Sequence, residues 1–215
     1  MEYFHVFNRG VAKGDIFLDE SDFRRFVVTM ILSNDERTGL MHIWDNFRRY
    51  HPEAKLSDCK QLELHKKKPL VDIVAYCLNK NHFHFLLGNR GVKQNIEKFM
   101  QCLGISFVKY FNKKNERVGP LFQGRYKSFH IKDNGRLLYN SAYVNCNSEL
   151  HSSQKAEEYK WCSFPEYLGK TDFKLCNKEI ILSQFKNTDE YKYYALENIR
   201  EEKESRKFQK ELYDD

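Results

Sequence analysis

The chain has 215 residues, 41% of them hydrophobic, and its 36 Lys and Arg outnumber 30 Asp and Glu for a net charge of +6. That is enough apolar material for one packed domain, or one domain with an appendage, and the basic excess suits a polyanionic partner. No uninterrupted apolar run approaches the length of a membrane span, which excludes a helical membrane protein. The six cysteines (Cys59, Cys77, Cys102, Cys146, Cys162 and Cys176) include no Cys-x-x-Cys pair, which argues against a zinc knuckle. The N-terminus opens directly into Tyr3-Phe4-His5-Val6-Phe7 without a secretory leader, so a cytoplasmic protein with reduced thiols is expected.

Residues 3–8 alternate as a first strand, followed by turn signals at Asn8-Arg9-Gly10 and Lys13-Gly14-Asp15. Ser21-Asp22 is expected to cap a helix running to about Leu32, with Phe23, Phe26, Val27, Met30 and Ile31 on its apolar face. Residues 34–68 form a long charged insertion ending in His65-Lys66-Lys67-Lys68. It fits an inserted helix with Trp44, Phe47 and Tyr50 on one face, and equally a partly ordered loop. Residues 71–78 and 82–87 read as strands joined at Asn79-Lys80-Asn81. Residues 94–111 read as a helix with Ile96, Phe99, Met100, Leu103, Phe107 and Tyr110 in its stripe. A fourth strand is expected over residues 126–132. The next helix shows Leu138, Ala142 and Cys146 at every fourth position, with Leu137 and Val144 near the same stripe. From Asn177 the tail reads as helix, and from Arg200 it becomes nearly all charge, as a solvated or frayed end does. The order predicts an α+β βαββαβ unit with an added helix and a helical C-terminal tail.

Strand alternation sends His82 and His84 to one face and Phe83 and Phe85 to the other, and the histidine face is expected to be exposed. Two adjacent imidazoles begin a divalent-metal site that needs one or two more ligands. Taken alone, two solvated histidines explain the pair as well. Tyr143 and Asn147 stand four apart and share a helical face. The amide oxygen can complete a metal site while the phenol attacks what the metal polarises. A buried tyrosine with an amide at the helix end accounts for the same residues. In Phe122-Gln123-Gly124-Arg125-Tyr126-Lys127-Ser128, Gly124 permits a tight turn. Arg125 and Lys127 could clamp phosphates there while Gln123 reads a base or sugar, or could be an ordinary basic strand start. Lys109, Lys113, Lys114 and Arg117 extend the positive charge nearby in sequence.

Four ordered stretches carry a family resemblance. They are Tyr3-Phe4-His5-Val6-Phe7-Asn8-Arg9-Gly10, Ala75-Tyr76-Cys77-Leu78-Asn79-Lys80-Asn81-His82-Phe83-His84, Gly119-Pro120-Leu121-Phe122-Gln123-Gly124-Arg125-Tyr126-Lys127-Ser128 and Tyr143-Val144-Asn145-Cys146-Asn147. A weaker fifth is Trp161-Cys162-Ser163-Phe164-Pro165-Glu166-Tyr167-Leu168-Gly169. With these, residues 3–169 resemble the HUH endonuclease superfamily, most of all the single-tyrosine REP-associated tyrosine transposases. The sequence departs from that pattern at Ser148, where the family often has Pro, and at Asn79-Lys80, where it often has Met-Pro.

The resemblance implies a ferredoxin-like antiparallel sheet. It implies that His82, His84 and Asn147 bind Mg²⁺ or Mn²⁺ and that Tyr143 is the nucleophile. It implies cleavage and rejoining of single-stranded or hairpin-flanking DNA through a 5′-phosphotyrosine, by a monomer or homodimer. Arg9, Gln123, Arg125, Lys127, Lys109 and Lys113 are the candidate DNA contacts. Residues 1–170 would form the catalytic domain, with the insertion at 34–68, and residues 171–215 a helical extension. Two other readings stay open: a domesticated DNA-binding regulator that does not cut, and an RNA-binding ferredoxin-like domain. Metal-dependent nicking of single-stranded DNA separates enzyme from binder.

Overall fold

Four strands carry the architecture: β1 (Glu2–Arg9), β2 (Val71–Asn79), β3 (His82–Asn89) and β4 (Lys127–Ile131). They pair in the order β2-β3-β1-β4, every neighbour antiparallel. The computed structural model describes residues 1–55, 58, 68–91, 95–152 and 154–213, with side chains through residue 207. Helices α1 (Glu20–Ser33) and α2 (Leu40–Tyr50) lie between β1 and β2, and α3 (Asn95–Lys114) lies between β3 and β4. This is the expected βαββαβ order in an antiparallel α+β sheet.

One face of the sheet buries the stripes of α1 and α3. Phe26, Met30, Phe99 and Phe107 pack with Phe83 and Phe85 of β3 in a single apolar cluster. The cap of α1 lies earlier than expected. Asp19, not Ser21, accepts from Ser21 N and Asp22 N, while the Asp22 side chain returns to the cap backbone. Both Asp19 and Ser21 are good caps, and the reciprocal bond from Asp22 decides between them. In the insertion, Trp44 is buried and Phe47 packs against the core, but Tyr50 is 76% exposed and shares no buried face with them. His65, Lys66 and Lys67 lie outside the described residues, as does Gln94.

The opposite face is covered over β2 and β3, contrary to the exposed face expected for the histidines, and stays open towards β4. Helices α4 (Asn134–Asn145) and α5 (Thr188–Tyr213) pack there, with Leu137, Ala142, Val144, Tyr191 and Ile199 against Leu86 and Ile131 of the sheet. Every residue of β2 and β3 is buried. The continuous apolar run of β2 is what two-sided burial requires. The outer edge of β2 is paired rather than open. Leu78 N donates to Trp161 O at 2.9 Å and Ser163 N to Tyr76 O at 2.9 Å.

A buried polar chain fixes α4 between α5 and β2. Asn145 Nδ2 donates to Tyr191 Oη at 2.7 Å, and Ser163 Oγ donates to Asn145 Oδ1 at 2.5 Å. Tyr191 Oη reaches Ser141 Oγ at 3.2 Å, and Tyr76 N donates to Ser163 Oγ at 2.8 Å. Asn145→Ala strips both neighbours of a partner in a water-poor interior. The expected loss is about 2–3 kcal/mol, read as a lower urea midpoint at unchanged slope. A loss below about 0.5 kcal/mol would show that the chain does not anchor α4.

Candidate active site

β1 runs between β3 and β4, so its alternate residues meet partners on both sides. Arg9 lies opposite His82, Phe7 opposite both His84 and Lys127, and His5 opposite Leu86 and Phe129. Period-two alternation therefore gathers His5, His82, His84 and Lys127 on one face. His5 Nε2 and His84 Nδ1 are 2.9 Å apart and their rings stack with centroids 5.1 Å apart.

α4 brings Tyr143 to this face. Its N-cap Asp133 accepts from Arg136 N, and its buried stripe leaves Tyr143 on the histidine side. The Tyr143 ring stands edge-on to His5 and His84, with centroids 5.7 Å from each. The helix stops at Asn145, and Asn147 opens a 3-10 turn (Asn147–Leu150). Tyr143 and Asn147 thus do not share one continuous helical face, because the tighter turn swings Asn147 inward. Asn147 is fully buried, and its Oδ1 accepts from Asn79 Nδ2 at 2.9 Å. The same Asn79 Nδ2 donates to His82 Nε2 at 3.1 Å. An imidazole lone pair and an amide oxygen thus converge on one donor. Asn147 Nδ2 is buried and has no hydrogen-bond partner among the described residues. His82 Nδ1 donates to Asn81 Oδ1 at 2.6 Å, which keeps the lone pair on Nε2.

The cleft over this face has a volume of about 390 Å³, and Arg9, Gln123, Arg125 and Lys127 form its basic side. Gln123 N donates to Arg9 O at 3.0 Å and Asn8 Nδ2 to Gly124 O at 3.1 Å, so the Gly124 turn is stitched to the end of β1. Arg125 also lies 3.5 Å from Glu97. Lys109 and Lys113 are not part of this cleft. They sit on α3, which packs on the other face of the sheet, and line a separate depression beside Tyr110.

Four further residues enter the site that the sequence alone did not single out. His151 lies with its ring centroid 4.5 Å from that of His82. His5 meets His84 as described. Phe129 is 58% exposed and stacks on Phe7 with centroids 5.9 Å apart, a platform on which a base can lie. Arg206 Nη2 donates to Tyr143 Oη at 3.0 Å. His5 carried a signal in the alternation of β1, but its meeting with His84 needs the strand register. His151 and Arg206 carried no sequence signal.

Burial holds the imidazoles neutral. It lowers His5 and His82 to about 4, with His151 and Arg9 adding to the effect at His82. His84 is pushed down by burial and then by His5 and His82. Neutral imidazole is the form that binds a metal. Among the described residues, no three His, Cys, Asp or Glu side chains form a ready metal cage. The donors that do converge, His82 Nε2 and Asn147 Oδ1, are a nitrogen and an oxygen, and His84 is adjacent. Such a mixed set fits Mn²⁺ better than Mg²⁺, which prefers oxygen.

Among the described residues no helix is long and apolar enough to cross a membrane. No family model matches the chain, and no curated protein matches it. Among solved structures, the chain is similar to a REP-associated tyrosine transposase bound to a REP hairpin. The TM-score is 0.48 and the identity 11%, over 82% of this chain and 90% of that chain.

Proposed function

We propose that this protein cleaves and rejoins single-stranded or hairpin-flanking DNA, with Tyr143 as the nucleophile. One observation carries the reading: the Tyr143 phenol opens into the same basic cleft as His82 and His84. Tyr143 Oη attacks the scissile phosphorus. The phenol proton passes to solvent, an Oη–P bond forms, the P–O3′ bond breaks, and the departing 3′ oxygen takes a proton from solvent. The products are a 5′-phosphotyrosine and a free 3′-OH. The covalent bond keeps the phosphodiester energy, so rejoining needs no external energy source. His82, His84 and Asn147 would hold Mn²⁺ or Mg²⁺, which supplies Lewis-acid stabilisation of phosphate charge. Arg9, Arg125 and Lys127 hold the flanking backbone, and Phe7 with Phe129 offers an unpaired base a stacking surface. A single strand suits this open cleft, since a duplex would hide its phosphates and bases from one shallow site.

The direct test is incubation with Mn²⁺ and labelled hairpins from the flanks of the protein's own gene, followed by denaturing electrophoresis. A covalent protein–DNA band supports the reading. DNA binding without any adduct would leave a binding module. The basic side of the cleft has its own test. Arg125→Ala/Lys127→Ala should weaken single-stranded DNA binding and flatten its log–log salt dependence by about 0.7 per lost phosphate contact. An unchanged slope in fluorescence anisotropy would make that segment structural.

A further inference from the structure

α5 brings an unexpected side chain onto the proposed nucleophile. On α4, Tyr139 and Tyr143 are one turn apart, and on α5, Glu202 and Arg206 are one turn apart. The two pairs interlock. Tyr139 Oη donates to Glu202 Oε2 at 3.1 Å, and Arg206 Nη2 donates to Tyr143 Oη at 3.0 Å. Glu202 also receives Arg206 Nε at 2.7 Å, which fixes the plane of the guanidinium. Lys203 Nζ pairs with Glu149 Oε2 at 2.8 Å and secures the same stretch of helix beside the 3-10 turn that follows α4. Arg206 lines the cleft together with His82 and His84.

We infer that Arg206 is a catalytic residue, one guanidinium that holds both the attacking phenol oxygen and a non-bridging oxygen of the scissile phosphate. The inference rests on the phosphoryl-transfer reading of the site and assigns it a group from the C-terminal helix. A guanidinium carries five N–H donors in a rigid fork. The bonds to Glu202 and Tyr143 use two of them, and the fork geometry suits a phosphate oxygen on the others. Holding the phenol oxygen and a phosphate oxygen on one guanidinium brings the phosphorus beside Tyr143 Oη, the proximity that a near-attack geometry needs. The positive charge also lies where negative charge accumulates as the Oη–P bond forms and the P–O3′ bond breaks. The phenol proton passes to solvent, the 3′ oxygen takes one from solvent, and Arg206 stays protonated throughout.

The test compares Arg206→Ala and Arg206→Lys with the wild-type protein, after thermal melts establish that all three fold. Two readouts are used: the salt dependence of oligothymidylate binding without metal, and the rate of adduct formation with a cleavable hairpin and Mn²⁺. Arg206→Ala should flatten the salt slope by about 0.7, the value for one contact on a single strand. It should also slow adduct formation by about 10²-fold or more, the usual effect of removing a donor to transition-state charge. Arg206→Lys should keep the slope and recover only part of the rate, because an ammonium cannot present a fork. An unchanged slope in Arg206→Ala overturns the phosphate contact. Full rate in Arg206→Lys overturns the shared-fork geometry. Adduct formation as fast as wild type, or faster, in Arg206→Ala overturns the catalytic role and makes α5 a restraint on Tyr143. If the wild-type protein forms no adduct while Arg206→Ala still flattens the slope, the nuclease reading fails and the phosphate contact stands.

Discussion

Tyr143→Phe is expected to abolish the covalent adduct and drop strand cleavage to the background rate, while metal and DNA binding persist. Only one oxygen is removed. The ring keeps its edge-on contacts with His5 and His84, and the bond lost is the one from Arg206, which retains Glu202. Stability should therefore change by no more than about 1 kcal/mol. Two other tyrosines compete for the role. Tyr139 donates to Glu202, and burial followed by the nearby carboxylate pushes its phenol up to about 12. A phenol so hard to ionise is a weak nucleophile at neutral pH. Tyr126 is raised by burial and then by Glu97, and it lines a different depression, next to α3 rather than the histidines. Proteolysis of a trapped wild-type adduct should leave the nucleotide on the peptide containing Tyr143. A nucleotide on Tyr139 or Tyr126, or full activity in Tyr143→Phe, would falsify the assignment.

The sheet and its first layer were legible because their signals are local. Alternation marked β1 and β3, and an apolar stripe marked α3, of whose predicted core residues Ile96, Phe99, Met100, Leu103 and Phe107 are buried while Tyr110 is only half-buried. What covers the second face was not legible. Periodicity says that one side of α4 is buried, but not against which surface, so His82 and His84 read as exposed when they are 4% and 8% exposed. The spacing of Tyr143 and Asn147 implied one helical face only while the helix continued, and its end at Asn145 broke that relation. The tail was legible as a solvated helix, and α5 is exposed at nearly every position from Arg200 to Lys207. What its composition did not reveal is that α5 runs on to Tyr213 and that its Glu202 and Arg206 bond to α4. Long-range meetings such as Arg206 with Tyr143 depend on helix docking, which no local pattern encodes.

His82→Asn/His84→Asn should remove Mn²⁺ binding, measured by calorimetry, and with it cleavage, while single-stranded DNA still binds. Asparagine is the better replacement because both histidines are buried, and alanine would open a larger void among packed rings. The same variant should change how stability depends on pH. Unfolded histidines protonate below about pH 6.5. Folded His5 and His82 remain neutral down to about 4 because burial disfavours their charged forms, and His84 is shifted in the same direction. Between these limits the unfolded chain binds more protons than the folded one, so stability is complete above the upper limit and falls as pH drops towards the lower. For His5 and His82 the shift to about 4 corresponds to about 3 kcal/mol of acid destabilisation each across that window, and His84 acts in the same direction. Urea midpoints of the wild-type protein should therefore fall steeply between about pH 7 and about pH 5. The variant should fall less, since His5 is then the most buried imidazole left in the cluster. Mn²⁺ affinity equal to wild type in the variant would remove these histidines from the metal site. Equal pH slopes would show that their burial is not what keeps them uncharged.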